Sequence, residues 1–87
     1  MKLFWTSEAI QDRDEIYNYI EADNLVAALT LDEQFSEKSS SSVIHLNFGR
    51  SGRVVGTREL IVHRNYVMAY DVADDIVRIL RVLHSTL

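Results

Sequence analysis

The chain contains no cysteine. That absence excludes a disulfide framework and any thiolate-bound metal site. Its three histidines, His45, His63 and His84, are scattered and have no paired ligands at metal spacing. No metal site and no cofactor are expected. No apolar run approaches the roughly 18 residues that a membrane-spanning helix requires. The opening stretch, Met1-Lys2-Leu3-Phe4-Trp5-Thr6-Ser7-Glu8, turns acidic too soon for a signal peptide. Together these absences predict a soluble cytoplasmic protein. Glycine is scarce as well: its three copies, Gly49, Gly52 and Gly56, fall within one short segment. Lysine is missing from residues 45–87, where every basic side chain except histidine is arginine.

What remains is enough for one domain, residues 1–87. Hydrophobic residues make up 47% of the chain, too many for a disordered segment and enough for a core. A domain of this size buries only about 60–65% of its unfolded surface, so modest stability is expected. The net charge of −4 conceals an asymmetry. Residues 1–44 hold nine acidic side chains and only Lys2, Arg13 and Lys38 as bases. Residues 45–87 hold Arg50, Arg53, Arg58, Arg64, Arg78 and Arg81 against Glu59, Asp71, Asp74 and Asp75. Arginine suits planar, bidentate recognition of phosphate or carboxylate, which makes the second half the candidate working surface. Ordinary solvated strand charges would give the same composition.

Along the chain, Leu3-Phe4-Trp5 predicts a short strand, and Thr6 or Ser7 predicts a helix cap. Ile10, Ile16, Tyr17 and Ile20 recur near helical period, until Asp23-Asn24 ends the helix. A second helix starts near Leu25, with Leu25, Ala28, Leu29, Asp32 and Phe35 on one stripe. Extended, that stripe reaches Ser39, Ser42 or Val43, and Leu46. The tract Ser39-Ser40-Ser41-Ser42 therefore predicts a weakened second half of this helix, because serine costs about 0.5 kcal/mol per interior position relative to alanine. Beyond the glycines the period changes. Val54 to Val62, Tyr66 to Val72 and Ile76 to Leu83 predict three strands, with turns at His63-Arg64-Asn65 and Ala73-Asp74-Asp75. In the last strand, alternation places Ile76, Arg78, Leu80, Val82 and His84 on one face, and Val77, Ile79, Arg81 and Leu83 on the other. Both faces are largely apolar, so one is expected to pack on the helices and the other to await a partner. The order is β-α-α-β-β-β, an α+β fold with a helical hairpin packed on a mainly antiparallel sheet.

Five segments, taken in order, resemble the RelE/ParE family of bacterial toxins, from type II toxin–antitoxin modules, and its ParE branch most. They are Trp5-Thr6-Ser7-Glu8-Ala9; Asp14-Glu15-Ile16-Tyr17-Asn18-Tyr19-Ile20; Gly49-Arg50-Ser51-Gly52-Arg53-Val54-Val55-Gly56-Thr57-Arg58-Glu59-Leu60; Tyr66-Val67-Met68-Ala69-Tyr70; and Ile79-Leu80-Arg81-Val82-Leu83-His84. The resemblance spans almost the whole chain. It implies the toxin of a plasmid-stabilising addiction module, one that inhibits DNA gyrase and is neutralised by a cognate antitoxin in a hetero-oligomer. It places antitoxin and target contacts at Arg50, Arg53, Arg58, Arg78, Arg81 and His84. The chain departs from the ParE pattern in having no proline, in its serine tract and in its acidic balance. Those departures also fit a nontoxic remnant that still binds an antitoxin.

The RelE branch implies an alternative, ribosome-dependent cleavage of mRNA. Such cleavage needs a base for the 2′-hydroxyl, a cation for the phosphate and an acid for the leaving oxygen. Arg58, Arg81 and His84 would be the catalytic candidates. The lysines and C-terminal tyrosine typical of that branch have no counterpart at matching places here, so the expectation leans away from an enzyme. Gly49, Gly52 and Gly56 lack the lysine and following helix of a phosphate loop, and serve a helix stop and turn instead.

Overall fold

Thr6 joins the first strand to the first helix. Its Oγ1 accepts the Ala9 N–H at 3.1 Å and donates to the Leu80 carbonyl at 2.9 Å, so one side chain caps the helix and fastens it to a distant strand. A computed structural model describes residues 2–44 and 50–85, and the side chains of 2–40 and 50–85. Its elements are β1 (Lys2–Trp5), α1 (Ser7–Glu21), α2 (Leu25–Ile44), β2 (Arg50–Ser51), β3 (Arg58–His63), β4 (Tyr66–Ala73) and β5 (Ile76–His84). The strands form a single sheet in the order β1-β5-β4-β3-β2. β1 runs parallel to β5; the other neighbours are antiparallel. This is the expected α+β architecture, a helical hairpin on a mainly antiparallel sheet, with one short strand more than expected.

The addition is β2. The strand expected from Val54 starts only at Arg58, and Arg50-Ser51 pairs with Glu59 and Arg58 instead. Between them the chain makes a tight loop, closed by Gly52 N–H to Thr57 O at 2.8 Å and Thr57 N–H to Val54 O at 3.1 Å. A Cβ on Gly52 would collide with Thr57 Oγ1, and Gly56 has φ +85°, so two of the glycines are required by the turn itself. Val54 and Val55, whose β-branched side chains suggested a strand, are left exposed at the loop tip. Gly49 lies outside the described residues, as do His45 and Leu46.

The helices dock through fewer apolar residues than their periodicity suggested. Among the described side chains of α2 the buried positions are Ala28, Leu31, Phe35 and Ser39, about one turn apart along a single stripe. Leu25 and Leu29, expected in the core, are half-exposed on the outer side, and Asp32 instead holds Arg13. The serine tract continues the helix to Ile44, as expected, with Ser39 fully buried and donating to the Ser36 carbonyl at 2.8 Å. The hairpin is tied by Arg13, which donates to Asp32 Oδ1 at 2.6 Å and to Ser36 Oγ at 2.7 Å while its guanidinium lies 4.9 Å over the Trp5 ring. Leu60, Val62, Met68, Tyr70, Val77, Ile79 and Val82 supply the sheet side of the core, with Ile16 and Ile20 of α1 packed against them. The opposite sheet face carries Phe4, Ile61 and Ile76 partly exposed among ion pairs.

Candidate functional site

The two hairpin turns fall where expected, at Arg64-Asn65 and Asp74-Asp75, and Asp74 adopts the left-handed conformation (φ 55°) that aspartate tolerates. Uninterrupted two-residue hairpins would then fix every register. They do not, because each outer strand of the β3-β4-β5 meander holds one extra residue. On β5, Tyr70 pairs with Ile79 but Ala69 pairs with Arg81, leaving Leu80 as a bulge. On β3, Ile61 pairs with Val67 but His63 pairs with Tyr66, leaving Val62 as the extra residue. Alternation holds through Leu80 and inverts after it. Val82 is in the core rather than beside Arg78, and His84 moves with it.

The consequence is a row that sequence periodicity did not reveal. The two-residue turn pairs His63 of β3 with Tyr66, and the bulge at Leu80 brings His84 of β5, in place of Leu83, into register with the same tyrosine. Tyr66 and His84 meet edge-to-face, with centroids 5.3 Å apart, and the Tyr66 ring abuts Phe35 at 6.1 Å. On the α1 side of Tyr66 lies an open groove of about 360 Å³ lined by Asp12, Glu15, Ile16, Tyr19, Tyr66, Val82 and His84. On the α2 side a second recess of about 450 Å³ is lined by Ile20, Leu31, Gln34, His63 and Asn65, again with Tyr66. Tyr66 is the ridge between them.

The edge of β5 explains the groove's charge. β1 stops at Trp5, opposite Ile79, and beyond that point β5, still paired with β4, has no strand on its other side among the described residues. The Thr6 N–H donates to the Ile79 carbonyl at 3.0 Å, and side chains then take over: the Thr6 hydroxyl donates to the Leu80 carbonyl, and Asp12 Oδ2 accepts the Val82 N–H at 3.0 Å. The same carboxylate accepts Arg81 Nε at 2.7 Å, and its second oxygen accepts Arg81 Nη2 at 3.0 Å. Hydrogen bonding and charge from Asp12, with smaller contributions from Glu8 and Glu15, hold the Arg81 guanidinium above its usual pKa. Glu8, Asp12 and Glu15 thus surround one arginine, and the local balance is negative.

The arginines expected to form a free cationic surface are engaged and dispersed. Arg50 and Arg53 both approach the buried Glu59 carboxylate, at 3.5 and 3.4 Å, and the Arg53 N–H adds a bond at 3.1 Å. One carboxylate between two half-exposed guanidiniums leaves a surplus of positive charge at that edge. Arg58 is half-buried at the start of β3, on the helix-facing side opposite Tyr70. Arg78 pairs with its cross-strand neighbour Asp71, Nε to Oδ1 at 2.8 Å, on the other face. Of the six expected contact residues, Arg50 and Arg53 meet on Glu59 and Arg81 and His84 lie together around α1, while Arg58 and Arg78 stand apart. Asp12, Glu15, Tyr19, Tyr66 and His63 were missed. The turn at Arg64-Asn65 sets His63 opposite Tyr66 on β3, but on β5 only the bulge at Leu80 decides that His84 faces it. Among the described residues, no cluster of histidine and carboxylate side chains could hold a metal.

A two-helix hairpin on this five-strand sheet is the architecture of a small toxin class, and the sequence agrees. Residues 3–86 match the profile of the ParE toxin of type II toxin-antitoxin system, parDE. The chain belongs to that family. It is 33% identical over 85 residues to "Putative toxin Y4kP" of Sinorhizobium fredii, covering 97% of this chain and 88% of that protein. Among solved structures it superimposes on a chain of the chromosomal ParDE TA system from P. aeruginosa with a TM-score of 0.86 and 27% identity, covering 97% and 95% of the two chains. It also superimposes on the protein HP0894 of Helicobacter pylori with a TM-score of 0.63, covering 99% and 96%; at 16% identity that likeness concerns the fold alone.

Proposed function

We infer that this ParE-family toxin acts by binding, that its target is DNA gyrase, and that a cognate antitoxin neutralises it in a hetero-oligomer. Family membership supports the toxin and its antitoxin. The observation that carries the binding mode is the Asp12–Arg81 pair. RNA cleavage at His84 would need an available cation for the phosphate, and the arginine beside His84 is committed to a carboxylate within an acidic groove. Arg58, the other cation proposed for cleavage, starts β3 opposite Tyr70, away from the Tyr66–His84 end of the meander. In this reading Arg50 and Arg53 present surplus positive charge to target or antitoxin carboxylates. Arg58, Arg78, Arg81 and His84 complete the proposed contact set, Arg78 and Arg81 acting only in exchange for their own carboxylates. Gyrase and antitoxin place the protein in the cytoplasm, and no helix of the described residues is long and apolar enough to cross a membrane.

The test is induction of the chain in growing cells alongside a gyrase assay in vitro. The expected result is accumulation of gyrase-cleaved DNA, a DNA-damage response, intact mRNA and rescue by the antitoxin. Ribosome-dependent mRNA cleavage that His84→Ala abolishes would establish the interferase alternative instead. Antitoxin binding without growth arrest would identify a nontoxic remnant. Calorimetry of antitoxin binding is expected to give nanomolar affinity or better and a large negative heat-capacity change, because apolar surface is covered as a flexible segment orders.

A further inference from the structure

We propose that the groove between α1 and the end of β5 is the seat of a basic residue, an arginine or lysine carried on an extended segment of the antitoxin. The proposal rests on the toxin–antitoxin reading and names one place and one chemistry within it.

Three observations converge on this groove. Its charge is negative: Asp12 is balanced by Arg81, whereas Glu15 is exposed and its hydrogen-bond partner among the described residues is the neutral Gln11 amide, 3.1 Å away. Its floor is aromatic and apolar, made of Tyr66, His84 and Ile16, with Tyr19 almost fully exposed at the rim (78%). A carboxylate wall beside ring faces is the environment that selects a guanidinium or ammonium over a neutral or anionic group. Its margin is the part of β5 that lies beyond β1, where side chains of Thr6 and Asp12 stand in for a neighbouring strand. An extended segment entering there can follow the strand edge while its side chains alternate between groove and solvent.

The alternative reading of the same surface, a phosphate or nucleic-acid site, is opposed by the charge. A phosphate placed between Asp12 and Glu15 would meet two carboxylates, with the single neighbouring guanidinium already engaged. The occupant is therefore cationic. Screening should matter, because Glu15 lies at the surface and a Debye length at physiological salt is about 8 Å.

The experiment measures binding of the full-length antitoxin from the same module to four forms of the toxin, with melting temperature recorded beside each affinity. Glu15→Lys is expected to weaken binding about ten- to a hundredfold without lowering the melting temperature, the range expected for loss of a charge-assisted contact. Tyr19→Ala, which removes an exposed rim ring, is expected to weaken it several-fold. Glu33→Lys makes the same change of charge on the exposed side of α2 and is expected to leave affinity within about twofold. Raising salt should weaken the wild-type complex more than the Glu15→Lys complex. If wild type binds and Glu15→Lys binds equally well, the groove is not the seat and the proposal fails while the toxin–antitoxin reading stands. Equal weakening by Glu15→Lys and Glu33→Lys would reduce the effect to general electrostatics and overturn it too. Failure of wild type to bind at all sinks the broader reading.

Discussion

The two edges of the sheet solve the same problem with opposite charge. At the β5 edge one arginine, Arg81, is set among Glu8, Asp12 and Glu15. At the β2–β3 edge two arginines, Arg50 and Arg53, share the single carboxylate of Glu59. In both places a carboxylate does structural work, Asp12 by capping a strand edge and Glu59 by fastening a two-residue strand to its neighbour. The surplus that remains is negative at one edge and positive at the other. The comparison teaches that an arginine-rich half of a sequence is not a basic surface. What a partner meets is the charge left over after internal pairing, and the acidic first half contributes to that as much as the arginines do.

The sharpest way to break the comparison is Asp12→Ala. It removes both bonds to Arg81 and the acceptor for the Val82 N–H. A cost of about 2–3 kcal/mol is expected, moderated because Arg81 remains half in water. That corresponds to a fall in melting temperature of roughly 10–20 °C for a domain of this size. Adding Arg81→Ala should recover part of the loss, since the guanidinium then no longer lacks a partner. A variant melting within a degree or two of wild type would show that the β5 edge does not depend on this pair.

Gly52→Ala probes the other edge through the backbone. The added Cβ meets Thr57, and the neighbouring backbone is 3.0 Å away, so the loop has to open. We expect a loss of about 1–3 kcal/mol by chemical denaturation, together with faster hydrogen exchange at Arg50 and Ser51. An unchanged denaturation midpoint would mean that the loop has room the structure does not show.

Glu59→Gln isolates charge from shape at that edge. The amide keeps the volume and accepts the Arg53 N–H but leaves two guanidiniums without their counter-ion. About 1 kcal/mol of destabilisation is expected, decreasing in high salt as the guanidiniums are screened. A cost that does not respond to salt would assign Glu59 a packing role instead.

The smallest effect is expected at Val55, which is fully exposed at the loop tip. Val55→Ser should alter stability by no more than about 0.5 kcal/mol. A larger loss in the isolated toxin would place Val55 in a strand, as its β-branched side chain first suggested.

Much of the frame was legible in the residues themselves. Thr6, Asp23-Asn24 and the two turns are local signals: a cap, a break and short polar linkers between β-rich runs act over a few residues, and each appears where the sequence put it. The helical continuation through the serine tract was legible for the same reason. The stripe on α2 was less so, because Leu29 and Leu31 are equally apolar and only the docking angle of the hairpin decides which is buried. The start of β3 was misplaced because Val54 and Val55 carry strand propensity into a loop that Gly52 and Thr57 close. Of the candidate site, Arg81 and His84 were identified as residues, but not the groove they belong to.

The sequence alone determined the element order, the α+β class, the positions of caps and turns, and the opposite charge of the two halves. These follow from propensities and patterns that act within one element or across one turn. Tertiary structure alone decided which arginine meets which carboxylate and which side chains face Tyr66. Asp12 and Arg81 are 69 residues apart in the chain, and no local pattern encodes their meeting. The bulges at Val62 and Leu80 each add one residue to a strand. A period of two cannot survive such an insertion, so every side chain beyond it changes face. The shift at Leu80 brings His84 beside Tyr66 on the helix-facing side of the sheet, where the turn before Tyr66 already sets His63.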